Sequence, residues 1–306
     1  MTHRTLWLAL AASMLTACIS TAPSTRSELY QAATRGDADA QVRLGIEYAS
    51  GIRDGEAKGN SQAVYWYQQA AKQGNAAAQL YLGEMYYEGR GVQQDDSQAA
   101  YWIQQAAKKE GFFNAQLTLG SMYLDGRGVP RDDCRALHLY QQAAEPGLPK
   151  AQFNVGKMYE EGRCVPQDDH QAVHWYQQAA PQGNTNAQYR LGLMYYEGRG
   201  VQQDDNQAYF WFLLAASYGY PHSAECRDLI AKKLTPAALE ENEKIAKRHF
   251  EEVPFASLMA VSSCLHPRCF DSLEYVSDLN SPRFKTILEA IRDEVSLPQT
   301  PPSCLN

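Results

Sequence analysis

What the sequence lacks narrows its function first. No Ser nucleophile elbow, no phosphate-cradling glycine loop and no zincin motif occurs in the 306 residues, so the common hydrolytic, nucleotide-driven and zinc-peptidase chemistries have no residues to start from. A basic excess is missing too. The 28 Lys and Arg stand against 35 Asp and Glu, a net charge of −7, which disfavours nucleic acid as a partner and favours solubility. After Cys18 no stretch reaches the roughly 18 apolar residues that a membrane helix needs. What is present is apolar content: at 44% hydrophobic the chain can bury a large core.

The amino terminus reads as an address. Met1-Thr2-His3-Arg4 is a short basic start, Thr5 to Leu15 an apolar run, and Leu15-Thr16-Ala17-Cys18 follows. The run is too short to span a bilayer, so residues 1–17 are expected to be an export signal. Leu15-Thr16-Ala17-Cys18 resembles a bacterial lipobox, which implies cleavage before Cys18 and lipidation of its thiol and new amino terminus; an ordinary signal peptide with a chance cysteine is the alternative. Two or more acyl chains anchor stably where one does not, since each buried methylene contributes about 0.8 kcal/mol. Ile19 in place of Asp resembles the outer-membrane sorting pattern, facing the periplasm. Residues 18–27, rich in Ser and Thr, are expected to be a tether.

Beyond residue 27 the chain repeats itself, and a fixed period decides the fold class. Units open at Ala40, Ala78, Ala115, Ala151 and Ala187, at separations of 38, 37, 36 and 36 residues, and Ala224 opens a degenerate sixth. Five residues in comes Gly45, Gly83, Gly120, Gly156 or Gly192; eight in, Tyr48, Tyr86, Tyr123, Tyr159 or Tyr195; eleven in, Gly51, Gly89, Gly126, Gly162 or Gly198. The Leu, Gly and Tyr positions recur at helical spacing, which predicts a first helix with one apolar face. Gly inside a helix costs about 0.5–1 kcal/mol relative to Ala, so its recurrence calls for close approach by the paired helix. Gly89 and its equivalents supply a left-handed stop. Asp95-Asp96-Ser97-Gln98, Asp168-Asp169-His170-Gln171 and Asp204-Asp205-Asn206-Gln207 have capping-box spacing and start a second helix. That helix carries Trp66, Trp102, Leu139, Trp175 or Trp211 four residues before an Ala-Ala pair and stops at Gly74, Gly111, Gly147, Gly183 or Gly219.

The pattern Ala-Gln-x-x-Leu-Gly-x-Met-Tyr-x-x-Gly-x-Gly-Val, then Asp-x-x-Gln-Ala and Trp-Tyr-x-x-Ala-Ala-x-x-Gly, closely resembles the Sel-one-like repeat, a relative of the tetratricopeptide repeat. The resemblance implies an all-α, right-handed superhelical solenoid of helix-turn-helix repeats over residues 28–250, with units 40–77, 78–114, 115–150, 151–186 and 187–223. Capping helices stand at both ends, the carboxy-terminal one begun by Leu234-Thr235-Pro236. Such arrays are stabilised between neighbours and offer a long binding face. Relatives of this kind serve as envelope scaffolds, host-interaction factors, or immunity proteins that neutralise type VI secretion effectors such as phospholipases. The expected partner is therefore another protein, a secreted toxin or effector among the candidates, with no cofactor and no small-molecule substrate. A cysteine-rich branch of the family implies a remote alternative, a β-lactam-binding hydrolase, but its regular cysteine pair per unit is absent here.

Mapped onto tetratricopeptide arrays, the groove-lining positions lie two, six, nine and ten residues after each unit start. They read Val42, Leu80, Leu117, Phe153, Tyr189; Ile46, Glu84, Ser121, Lys157, Leu193; Ala49, Tyr87, Leu124, Glu160, Tyr196; and Ser50, Glu88, Asp125, Glu161, Glu197. An aromatic and acidic groove would select basic partner segments. Packing of Tyr87 and Tyr196 between repeats, with the acids merely solvating helix ends, is the plainer reading.

Cys134, Cys164, Cys226, Cys264, Cys269 and Cys304 form an even set suited to disulfides in an oxidising compartment. Several pairings stay open: Cys264 with Cys269, either with Cys304, or Cys134 with Cys164 between adjacent units. A metal at Cys264, His266 and Cys269 lacks a fourth ligand. His170 and His174 lie one turn apart, but Gln171 stands where a zinc protease needs Glu. Residues 251–306 resemble nothing identified. They contain one amphipathic stretch from Ser281-Pro282 to Val295, expected to dock on the last repeat.

Overall fold

The computed structural model describes residues 26–50 and 56–252. These form thirteen α-helices: α1 (Arg26–Thr34), α2 (Ala38–Ala49), α3 (Glu56–Lys72), α4 (Ala76–Glu88), α5 (Asp96–Ala107), α6 (Phe113–Asp125), α7 (Asp133–Ala144), α8 (Pro149–Glu161), α9 (Asp169–Ala179), α10 (Thr185–Glu197), α11 (Asp205–Ser217), α12 (Ser223–Ala231) and α13 (Pro236–Glu252). No strand occurs among the described residues, so the all-α expectation holds. The predicted tether, 18–27, overlaps the start of α1. The signal peptide, Cys18, Gly51 and all of the tail after residue 252 lie outside the described residues.

The contacts divide the chain into two compact units, Met1–Ala106 and Ala107–Asn306. In the first, α1 packs on α2, α2 on α3 and α3 on α4; in the second, each helix from α6 to α11 packs on the next, and α13 packs on α11. Every hairpin pairs a first helix (α2, α4, α6, α8, α10) with the second helix that follows it.

The helical glycine is what lets the two approach. A Cβ on Gly45 would enter the ring of Tyr67, and Gly120, Gly156 and Gly192 lie likewise beneath Tyr140, Tyr176 and Phe212, with Ile103 over Gly83. These five side chains follow directly after the Trp or Leu singled out in the sequence. Tyr140, Tyr176, Phe212 and Ile103 are all but inaccessible to solvent. Burying a side chain the size of Ile or Phe contributes roughly 1.5–3 kcal/mol, more than the helix loses by carrying Gly.

Two hydrogen bonds recur with the repeat. The Gln that follows each opening Ala reaches back to the carbonyl of the preceding Ala-Ala pair: Gln41 to Ala33 (3.0 Å), Gln79 to Ala71 (3.3 Å), Gln116 to Ala107 (3.5 Å), Gln152 to Ala144 (3.4 Å) and Gln188 to Ala180 (3.0 Å). Helix ends leave carbonyls unsatisfied, and here a side-chain amide from the next helix fills one.

The second recurring bond corrects the capping-box reading. Asp95, Asp132, Asp168 and Asp204 do cap the second helices through their carboxylates. Their own N–H groups, however, donate to the carbonyls of Tyr86, Tyr123, Tyr159 and Tyr195, where a capping box would use a Gln side chain. This bond closes the loop of each hairpin. Gly89, Gly126, Gly162 and Gly198 end the first helices with φ of 66–71°. Thr235 caps α13, its hydroxyl accepting from Ala238 N–H (3.3 Å), as read from the sequence.

Replacing a helical Gly by Ala ordinarily stabilises by about 0.5–1 kcal/mol. At Gly156 the new Cβ would stand 2.7 Å from a ring carbon of Tyr176 and 3.1 Å from the Ala172 carbonyl oxygen, so the sign inverts. Gly156→Ala is expected to lose about 1–3 kcal/mol of unfolding free energy in urea titration; a more stable variant contradicts the close-approach account.

Candidate functional site

The exposed sides of the first helices are the candidate surface, taken separately in each unit. Two residues after each unit start the expectation of an open lining fails. Val42 and Leu80 are core residues, 8% and 6% exposed. Phe153 stacks on Tyr176 (5.6 Å between centroids), while Tyr189 meets Phe212 edge-on (5.5 Å) and Tyr220 (5.0 Å). These side chains lean onto the ring that covers the hairpin glycine. The next position, three after the start, is more open: Arg43 is exposed, and Tyr81, Thr118, Asn154 and Arg190 are half-buried. Sequence mapping missed this row, although its polar and changing character was the signal for it.

Six residues after the start, Leu193 is buried and Ser121 is hydrogen-bonded to the Tyr140 hydroxyl (3.0 Å). Lys157 pairs with Glu161 (3.6 Å). Glu84 carries the most displaced carboxyl of this face: burial first, then repulsion from Glu88, push its pKa up to about 7, against the pull of Arg90.

Nine residues after the start, Ala49 is buried and Tyr87 and Leu124 are half-buried. Glu160 is the centre of a network in the second unit. Its side chain, 9% exposed, accepts from the Tyr176 hydroxyl (2.7 Å), Arg190 (3.5 Å) and Arg199 (3.4 Å). Burial and the Glu160 carboxylate raise the Tyr176 pKa far above its ordinary value, so this hydroxyl acts as a donor throughout the physiological range. Tyr196 carries Lys233 over its ring at 4.6 Å.

At the tenth position Ser50 is buried, and Glu88, Asp125, Glu161 and Glu197 are exposed. Most of these acids are already matched within the chain. Glu88 pairs with Arg90, Glu161 with Arg163 (3.8 Å) as well as Lys157, and Glu197 with Arg199 (3.5 Å). The expected acidic rim is therefore largely a surface of alternating charge, because Arg90, Arg163 and Arg199, each next to a helix-ending glycine, fold back onto it. Such exposed pairs are worth only about 0–1 kcal/mol each, so a partner can exchange them at little cost.

The same arginines tie consecutive repeats together. Arg163 makes a two-point contact with Asp133 (3.0 and 3.0 Å), and Arg199 with Asp169 (3.1 and 2.8 Å). Hydrogen bonds from Arg163 and then Arg131 hold the Asp133 carboxyl at a pKa of about 2. Beside the first of these contacts Cys134 and Cys164 form a disulfide, with Cα atoms 5.0 Å apart, so of the open pairings this one is present. Cys226 is fully buried on α12; Cys264, Cys269 and Cys304 lie outside the described residues.

His170 Nδ1 contacts the Gly200 carbonyl (2.8 Å), while His174 lies edge-on to Trp175 and bonds Gln178 (2.9 Å). Both histidines thus have structural partners. Among the described residues no group of three ligating side chains could hold a metal, and no helix is long and apolar enough to cross a membrane.

A Glu84 carboxyl near pKa 7 that returns to about 4.5 on unfolding makes the folded state bind the extra proton in between. Its contribution to stability is greatest below about pH 4.5 and is lost as pH rises to about 7. Glu84→Gln is therefore expected to raise the melting temperature at about pH 8 and to flatten the decline. Thermal denaturation across this range checks it, and a variant with the same slope as the parent refutes the assignment.

Comparison with known proteins bears on the fold. A profile described as Sel1 repeat matches residues 38–75, 76–110, 114–147, 149–184 and 185–220, more than half of the chain and within a few residues of the units read from spacing. Among solved structures the chain is similar to c5321, a protective antigen of uropathogenic Escherichia coli with an SLR fold. Identity is 33% over 78% of this chain, with a TM-score of 0.68. The match covers 51% of that protein, so this chain corresponds to about half its length. It is also similar to a Sel1 repeat protein from Oxalobacter formigenes, at 28% identity over 67% of this chain and 78% of that one, with a TM-score of 0.59. No curated protein matches.

Proposed function

The chain belongs to the Sel1 repeat family, and from that premise we propose that it is a non-enzymatic binding module of the bacterial envelope, anchored at Cys18, whose ligand is another protein. One observation carries the reading. The first helices keep a buried side built around a glycine that a second-helix side chain covers, and their more open positions change from repeat to repeat. Arg43, Tyr81, Thr118, Asn154 and Arg190 occupy one such position. A framework held constant under a varied surface is what recognition of an irregular protein partner requires.

The envelope setting has two supports. Leu15-Thr16-Ala17-Cys18 has the lipobox form, and the solvent-facing Cys134–Cys164 disulfide belongs to a compartment that oxidises thiols. The finer expectation is that the partner is a secreted effector which the module holds inactive. The other is a resident assembly protein.

Affinity capture of the lipidated protein from its own envelope, read by quantitative mass spectrometry, separates these two partners. Combined replacement of Tyr87, Glu88, Tyr196 and Glu197 by Ala is expected to reduce capture by roughly 30-fold or more, the loss of at least one binding hot spot, with helicity retained by circular dichroism. Unchanged capture would remove the first-helix surface from the account. Cys18→Ala is expected to release the protein from the membrane fraction without changing its affinity for the captured partner.

A further inference from the structure

Where the loop of one repeat meets the start of the preceding second helix, the chain places a residue of positive φ hard against that helix. Gly91 (φ 68°) meets Asn60 and Ser61, and Gly200 (φ 65°) meets Asp169 and His170. A Cβ on either glycine would run into the backbone carbonyl it faces. At the equivalent place after α8 the residue is Cys164, also at φ 65°, and the residue it meets is Cys134, at the position of Ser61 and His170. Residues other than glycine rarely adopt this conformation and keep it only where the surroundings hold them in it. Here a Cβ and a sulfur occupy space that the other two junctions leave to no side chain at all.

The sulfur–sulfur bond is what makes this fit. Joined, the two cysteines hold the loop against the helix start despite their side chains; as free thiols nothing covalent holds it there. Reduction therefore leaves two side chains at a contact whose counterparts have room for none. The adjoining two-point Arg163–Asp133 contact, with both distances at 3.0 Å, spans the same gap and cannot keep its geometry as the gap widens.

We propose that this junction is a thiol-controlled joint, closed when Cys134 and Cys164 are joined and opened when they are reduced. Closing forms one S–S bond from two S–H groups. The two electrons and two protons pass to the disulfide of an exchanging oxidoreductase, and opening reverses the exchange with an external dithiol. Both cysteines are exposed, so a thiolate can reach them. The loop that moves carries Glu161 and Arg163, which border the candidate binding surface of the second unit. In the envelope reading, on which this setting rests, a chain still in the reducing cytoplasm has an open joint, and export closes it.

Hydrogen–deuterium exchange of the purified full chain tests the joint without anchor or partner, so its failure is distinct from failure of the envelope reading. Four states are compared: oxidised, reduced with a phosphine, Cys134→Ser, and Cys134→Ser with Cys164→Gly. The double variant recreates the Ser61 and Gly91 pair of an earlier junction. Exchange over residues 129–136 and 161–168 is expected to accelerate roughly tenfold or more on reduction and in Cys134→Ser, and to return to the oxidised level in the double variant. Equal exchange in the oxidised, reduced and Cys134→Ser states overturns the proposal. A double variant as open as Cys134→Ser overturns it as well. The mass of the amino-terminal peptide reports separately on lipidation of Cys18.

Discussion

Every hairpin in this protein depends on a ring or branched side chain lying over a glycine. Without a Cβ at Gly45, Gly120, Gly156 or Gly192 the second helix can bring Tyr67, Tyr140, Tyr176 or Phe212 directly onto the first helix backbone. That contact sets the spacing of the pair and dictates which side of the first helix is buried. It also bears on which side remains for recognition: at the position two residues after the unit start Phe153 and Tyr189 lie against the ring, and the following row is the more open one. Framework positions and candidate binding positions are thus neighbouring residues of the same helix.

A second set of interactions joins one hairpin to the next, and beside its apolar packing it has a recurring polar part. The buried Gln amides reach the carbonyl ends of the preceding second helices, and Arg163 and Arg199 reach acids some thirty residues earlier in the chain. Repeat arrays gain stability through such nearest-neighbour terms. A change at one junction therefore alters that junction first. The junction carrying Cys134 and Cys164 differs from its neighbours in chemistry but follows the same geometry, which is why a covalent bond there can be compared with the glycine it replaces.

Much of the framework was legible in the sequence because it is local and periodic. The helix-ending glycines, the Asp caps, the Thr235 cap and the need for close approach at the helical glycines all follow from spacing. The identity of the covering ring did not, since the conspicuous Trp sits one residue earlier. The role of the opening Gln was also hidden, because its partner is a carbonyl brought near by the turn between helices. The supposed acidic rim misled for a related reason: Arg90, Arg163 and Arg199 read as loop residues, and only folding returns them to Glu88, Glu161 and Glu197. Glu160 looked like a surface contact and is instead enclosed by Tyr176, Arg190 and Arg199. The cysteine pairing lay among several options that sequence could not rank.

The central claim is that the first helices read a protein partner while the second helices hold them in place. Hydrogen–deuterium exchange of the protein alone and in complex with its captured envelope partner tests this most directly. The account predicts new protection in peptides from the first helices, α4, α6, α8 and α10, and in the loops carrying Arg90, Arg163 and Arg199, with little change in α5, α7, α9 and α11. Protection confined to those second helices would contradict it.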